Sequence, residues 1–273
     1  MNQGTTGKRK VLITGAGGTI GSDLAVALAD RYDLRLHYHR PPAVQVGEDT
    51  VIADITVLDE VRAIMPGIDT VMHLAGEPAV PASWESVYTK NIAGTYNILQ
   101  SAHEVGVRRV VFASTNHVMG MHDVKADWPV YNDMPQRPDS FYGVSKAFGE
   151  DIGRYYWDAF GLEFIALRIG WYLRDASRAT GDVGRAMWLS PRDCAHAFTC
   201  ATETDEQYGV FYAISDNPNR RWDITDAQIK IGYRPQDSWP REMNLEEGVE
   251  PGKRAPGEPW GTDKWTLKPP TTD

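Results

Sequence analysis

The stretch Thr14-Gly15-Ala16-Gly17-Gly18-Thr19-Ile20-Gly21 constrains this chain more than any other. It follows the apolar run Val11-Leu12-Ile13, which reads as a short strand. It opens a segment, Thr19 to Asp30, whose Ile20, Leu24, Ala27 and Leu28 share one helical face. Glycine lacks Cβ, so the backbone can turn sharply and approach a pyrophosphate closely. The helix N-terminus then offers free N–H groups to that anion. A bare glycine pattern also fits an ordinary turn, but the position between strand and helix is the one a dinucleotide site requires. Gly15, Gly18, Thr19, Ile20 and Gly21 are therefore the expected cofactor contacts.

Strand and helix patterns alternate after this turn. Leu34–Tyr38, Thr50–Ala53, Thr70–Leu74, Arg109–Ala113 and Phe164–Ile169 read as strands. Val57–Met65, Trp84–Val105 and Phe141–Phe160 read as helices, the last ended by Gly161. Such alternation predicts an α/β fold, a Rossmann-type doubly wound parallel sheet. The rhythm breaks after Gly170. One clear helix follows, Pro191–Glu203, with Ser190 as its N-cap, and then a strand over Gly209–Ile214. The expected division is a dinucleotide-binding domain over 1–170, a small C-terminal substrate lobe over 171–247, and a Pro- and Gly-rich extended tail over 248–273.

Composition excludes several functions. The formal charge is -9 and no basic run occurs, which disfavours nucleic acid and anionic membranes as partners. No apolar stretch is long enough to span a bilayer, and Met1–Lys10 has no signal-peptide pattern, so a cytoplasmic location is expected. The two cysteines, Cys194 and Cys200, would lie about 9 Å apart along one helix, too far for a bridge. The histidines show no ligand spacing with cysteines or acids, so no metal is expected.

The end of the second strand distinguishes NAD from NADP, because an acid there bonds the ribose 2′-OH whereas a cation accommodates a 2′-phosphate. Leu36-His37-Tyr38-His39-Arg40 has no acid. That favours NADP over NAD, with Arg40 and His39 facing the phosphate. Asp54-Ile55 ends the third strand, where an acid either meets the adenine amino group or caps the following helix.

Tyr142-Gly143-Val144-Ser145-Lys146 opens the second long helix, and its i, i+4 spacing puts Tyr142 and Lys146 on one face. A free tyrosine is a poor base at neutral pH, and an adjacent ammonium favours the phenolate. The pair is thus a candidate for moving a proton while a hydride moves.

Taken together, these motifs resemble the extended short-chain dehydrogenase/reductases, the NAD-dependent epimerase/dehydratase superfamily, over the whole folded length. Further matching elements are His73-Leu74-Ala75-Gly76, Asn91, Ser114-Thr115 and Gly232-Tyr233-Arg234-Pro235. The resemblance implies that Leu74, Ala75 and Gly76 pass beside the cofactor, with Asn91 in the helix beneath the site. It implies that Lys146 also holds the nicotinamide ribose, and that Thr115 rather than Ser114 is the third catalytic residue. It further implies a homodimer through the two long helices, a role that Phe148, Ile152, Tyr155 and Tyr156 would fit, as they would equally an internal core.

Asn116-His117 and the segment Tyr142 to Glu150 look like uronate dehydrogenases and related glucose 6-phosphate dehydrogenases. Pro78 and Trp171 depart from the uronate enzymes, which carry small polar residues there. The expected reaction is oxidation of the C1 hydroxyl of a small sugar (an aldose, uronate or sugar phosphate) to a lactone. Thr115, Asn116 and His117 would bind the sugar, and Arg185 or Arg178 its anionic group. The alternatives are a nucleotide-sugar epimerase or dehydratase with retained NAD, and a non-enzymatic cofactor-sensing protein.

Overall fold

The computed structural model describes residues 7–44, 47 and 49–239. In chain order the first half comprises β1 (Lys10–Thr14), α1 (Thr19–Ala27), β2 (Asp33–Tyr38), β3 (Asp49–Ile52), α2 (Leu58–Ile64) and β4 (Thr70–His73). Next come α3 (Trp84–Val87), a π-helical stretch Tyr88–Ala93, α4 (Gly94–Glu104), β5 (Arg109–Thr115), a 3-10 turn Asn116–Met119 and α5 (Gly120–Val124). The remainder comprises α6 (Phe141–Phe160), β6 (Glu163–Ile169), β7 (Trp171–Tyr172), a 3-10 turn Ala176–Arg178, α7 (Gly181–Met187), β8 (Trp188–Leu189), α8 (Pro191–Glu203), β9 (Tyr208–Ala213) and α9 (Thr225–Lys230).

Seven strands form one parallel sheet in the order β3-β2-β1-β4-β5-β6-β9. Helices cover both faces, so a central strand has no solvent side, and all seven residues of β5 are buried. Val11 and Ile13 face Leu24 of α1 and Phe198 of α8, whereas Leu12 and Val71 face Ile98, Leu99 and Phe164. The strand order reverses between β1 and β4. The crevice at their C-terminal ends is where such folds bind ligands. No helix among the described residues is long and apolar enough to cross a membrane.

Three differences from the sequence reading matter. The single helix expected over Trp84–Val105 contains the π-helical stretch around Asn91, whose side chain bonds outward to a loop and to α6. β5 runs two residues past Ala113 and so carries Ser114 and Thr115 on a strand tip. The sheet also extends beyond Gly170: β9 pairs with β6, and α8 packs on the main core. Sequence periodicity does not disclose a strand's partner, so β9 read as part of a separate lobe.

The remaining C-terminal part is a small layer beside the strand ends. Val118, Met119, Val130, Met187, Tyr212, Ile214, Trp222 and Ile224 pack together there. Asp193 is fully buried and accepts bonds from Ser215 Oγ and from the backbone of Gln236 and Asp237, fastening the last described segment to α8. Tyr233 is buried as well and donates to Ile214 O, so the Gly232–Pro235 motif anchors this layer. The tail expected over 248–273 lies outside the described residues.

Candidate active site

The dinucleotide cradle is assembled by backbone contact. Gly15 has φ +71°, and a Cβ there would sit 2.9 Å from the backbone of Ala75. A Cβ on Gly21 would lie 2.3 Å from Gly15 O. Only glycine lets β1, α1 and the loop after β4 approach this closely. Gly18 is the N-cap of α1 and makes no side-chain cap bond, so the first N–H groups of that helix lack a side-chain cap. Gly15, Gly18, Thr19, Ile20 and Gly21 thus fit an anionic pyrophosphate.

Buried polar side chains brace this cradle, Asn91 among them as the resemblance implied. Thr14 Oγ1 accepts from the N–H groups of Leu74 and Ala75, at 3.1 Å each, and lies 2.9 Å from His73 Nδ1. With both amides pointing at its oxygen, Thr14 donates its proton to His73, whose Nε2 then faces Thr95 Oγ1 at 3.2 Å. Burial holds His73 well below its usual pKa, and therefore neutral. His37 accepts from Gly15 N at 3.3 Å and donates to Ala53 O at 2.9 Å, with burial lowering its pKa too. Asn91 accepts from Glu77 N at 2.6 Å and donates to Glu77 O and Ser145 Oγ, fixing the Leu74–Gly76 loop against α6.

Beyond β2, Arg40 and His39 are exposed. His39 Nε2 stands 3.6 Å from Asp54 Oδ2, so the missing acid has a neighbour supplied by the end of β3. Asp54 also accepts from Thr56 N and Oγ1, which lower its pKa, but α2 is capped at Val57 without a side-chain bond, so Asp54 turns the loop rather than capping the helix. Ile55 is buried against Gly94.

The structure brings Tyr142, Thr115 and His117 together. The Tyr142 phenol lies beside Thr115, whose hydroxyl donates to Asn116 Oδ1 at 3.4 Å, and the His117 ring meets the Tyr142 ring edge-on at 5.9 Å. His117 Nδ1 lies 2.9 Å from Asp139, another partner that no motif had indicated. Lys146, 5% exposed, donates to Ala113 O at 2.8 Å and lies 4.7 Å from the Phe112 ring centre. The expected lowering of the tyrosine pKa is not present in this arrangement. Burial pushes Tyr142 up to about 12, offset in part by Thr115, and pushes Lys146 down to about 8. The reason is geometric: the Lys146 ammonium is engaged with Ala113 O, 5.8 Å from the tyrosine ring centre.

Two of the residues expected to meet a sugar have buried donors with no hydrogen-bond partner, Asn116 Nδ2 and Arg185 Nε. Arg185 lines a cleft of about 310 Å³ with Trp128, Asp182, Arg221 and Trp239 among its walls. Its guanidinium sits 4.9 Å from the Trp239 ring centre. The neighbouring Arg221 is already paired with Asp123 and Arg220 with Asp216. Arg178, the alternative anion-binding residue, is exposed on its 3-10 turn. Arg185 therefore fits an anion better than Arg178 does. Ala186 and Met187, which follow it, pack with Val118 and Met119 of the turn that begins at Asn116.

A model of the NAD dependent epimerase/dehydratase family matches residues 11–172. The chain is 39% identical over 245 residues to the NAD-dependent glucose-6-phosphate dehydrogenase of Haloferax volcanii, covering 84% of this chain and 93% of that one. It is also 39% identical over 251 residues to the L-arabinose 1-dehydrogenase (NAD(P)(+)) of the same organism, covering 84% and 97%. Among solved structures, the glucuronic acid dehydrogenase of Chromohalobacter salexigens superposes with a TM-score of 0.81 at 30% identity, covering 91% of this chain and 94% of that one.

Proposed function

This chain belongs to the NAD dependent epimerase/dehydratase family, and from that premise we propose that it is a sugar dehydrogenase that oxidises the C1 hydroxyl of a small sugar to a lactone. The observation that carries the reading is the juxtaposition of Thr115 on the tip of β5 with the Tyr142 phenol, with Lys146 one helical turn further on. When bound, the nicotinamide dinucleotide supplies the acceptor for the C1 hydride. Tyr142, as phenolate, takes the proton of the C1 hydroxyl, so one hydride and one proton leave the sugar. Thr115 orients the reacting oxygen. Lys146 would hold the nicotinamide ribose when the dinucleotide is bound, and its ammonium, one turn from Tyr142, would favour the phenolate. Asn116 and His117 bind ring hydroxyls, and the unpaired donor of Asn116 favours that role.

Arg185 favours a sugar carrying an anionic group, a uronate or a sugar phosphate, over a neutral aldose. A buried guanidinium nitrogen without a partner is costly until an anion or acceptor meets it. For the cofactor we propose NAD. The NADP preference expected from Arg40 is not carried forward, because the Asp54 carboxylate beside His39 opposes a 2′-phosphate. The glucose-6-phosphate dehydrogenase relative is named as NAD-dependent, which supports this choice, and the arabinose dehydrogenase as NAD(P)(+). The same reading places the protein in the cytoplasm as a homodimer. The exposed Trp84, Tyr88, Phe141 and Tyr155 suit that contact, whereas Tyr156 is internal and bonded to Gln100.

The deciding experiment is a panel of aldoses, uronates and sugar phosphates, each with NAD and with NADP, followed by cofactor reduction at 340 nm. Net reduction with an anionic sugar and NAD is expected. No net reduction with any free sugar would remove the proposal and leave an epimerase that recycles its hydride.

A further inference from the structure

The tip of β5 overhangs its neighbour. β5 pairs with β4 only as far as His73↔Phe112, but with β6 as far as Thr115↔Ile169. Ala113, Ser114 and Thr115 therefore have a strand on one side alone. Thr115 is the hydroxyl that meets Tyr142, so the position of this tip sets the spacing of the site.

Helix α6 carries Tyr142, and it holds the tip at two further points. Lys146 Nζ donates to Ala113 O at 2.8 Å. One turn later, Ser114 Oγ donates to Glu150 Oε1 at 2.5 Å. Between them, Gly149 lets the helix sit directly on the strand, since a Cβ there would lie 2.4 Å from the Phe112 ring. Glu150 is itself clamped. Arg168, opposite Ser114 in the sheet register, donates from Nε to Oε1 at 2.9 Å and from Nη2 to Oε2 at 2.7 Å. Gln136 Nε2 donates to Oε2 at 3.0 Å. Ser114, Glu150 and Arg168 are each no more than 3% exposed.

We propose that Ser114, Glu150 and Arg168 form a positioning device that holds the overhanging strand tip so that Thr115 stays on Tyr142. The proposal rests on the reading of Tyr142 and Thr115 as the catalytic hydroxyls. A buried ion pair is a poor source of stability, because desolvation offsets most of its attraction and well-packed apolar residues do as well. What it provides here is direction: one carboxylate receives four hydrogen bonds, one of them from the residue beside Thr115. The arrangement also accounts for the choice between the two adjacent hydroxyls. Ser114 is committed to Glu150 at 2.5 Å, whereas Thr115 holds only a long bond to Asn116 Oδ1 at 3.4 Å and so is the hydroxyl left for the substrate oxygen.

The test begins with Ser114→Ala, which removes one hydroxyl and leaves the Glu150–Arg168 pair intact. kcat for cofactor reduction is expected to fall by about 10- to 100-fold, the scale of a small misplacement of reacting groups. NADH affinity, read by fluorescence titration, should stay within twofold and Tm within a few degrees. Ser114→Thr, which keeps a hydroxyl, should restore kcat. Because Glu150→Gln alone strands a buried arginine and can fail to fold, the second arm is Glu150→Leu/Arg168→Met, an apolar replacement of the pair. It should lose kcat as Ser114→Ala does, and adding Ser114→Ala to it should cost little more. A fall of less than threefold in Ser114→Ala overturns the proposal. So does a loss of NADH affinity and Tm in step with kcat, or multiplying losses in the combined variant. A parent protein that reduces no cofactor with any sugar is a different result: it removes the functional reading, and the proposal with it.

Discussion

The two sides of the crevice treat their buried polar groups differently. On the cofactor side Thr14, His37, His73 and Asn91 are buried, and each is bonded to backbone or to a neighbouring side chain. On the substrate side Asn116 Nδ2 and Arg185 Nε are buried atoms with no partner. An unmet buried donor costs about 1–3 kcal/mol, so Asn116 and Arg185 carry a free-energy deficit that a ligand can relieve, one that Thr14, His37, His73 and Asn91 do not have. The cofactor side is a finished shape; the substrate side is completed by what it binds. Specificity for the sugar should therefore reside in few residues, whereas the cradle should respond to packing.

The largest effect is expected at the seam between the sides. Tyr142→Phe should lower kcat by about 10²- to 10⁴-fold with cofactor affinity nearly unchanged. Unchanged turnover would break the assignment of the proton to Tyr142.

Lys146 sharpens the comparison next, because it is a buried charge on the finished side with no carboxylate partner among the described residues. Its pKa is pushed down from 10.5 to about 8 by burial. The native state then binds fewer protons than the unfolded chain between these values, so stability rises with pH across that window. Below about pH 8 the full cost of the charge is present, equivalent to about 3 kcal/mol. Lys146→Met should accordingly raise the stability of the free protein at pH 7 by up to that amount, while lowering activity. The difference should fade as pH rises from about 8 to 10.5. Denaturant melts at pH 7 and pH 10.5 check the sign, and a destabilised variant at pH 7 would contradict it.

Arg185→Gln should raise KM for an anionic sugar about 10- to 100-fold, as expected for one charge-assisted bond, and leave NAD affinity alone. Equal losses for anionic sugar and NAD would erase the distinction between the two sides. The smallest effect is expected at Arg40. Arg40→Ala should change kcat/KM with NAD by less than about threefold, since its side chain is exposed and a surface charge is worth little. A large loss, confined to NADP, would restore the phosphate-binding role that its sequence position suggested.

Much of this molecule was legible beforehand, for particular reasons. Helix α6 has the bounds Phe141–Phe160 expected of it, because Ser140 accepts from Gly143 N at its start and Gly161 takes φ +72° at its end. Helix α8 likewise begins at Pro191 behind the Ser190 cap. These are local signals, each set within a turn of the residue concerned. The glycine turn was legible because steric demand leaves no other residue type there. The roles of His73, Asp139 and Glu150 were not legible, since each depends on a partner 22 or more residues away or on a neighbouring strand.

By itself, then, the sequence determined the alternating elements, the cradle at the end of β1, and the helix face that presents Tyr142 and Lys146. Only the tertiary structure decided that β9 joins the main sheet, that Lys146 engages Ala113 O, that Glu150 takes Ser114, and that Arg185 lines a cleft while Arg178 is exposed. The physical reason is range. Backbone sterics and capping act between residues a few positions apart, whereas burial, ion pairing and strand register are settled only when distant segments pack.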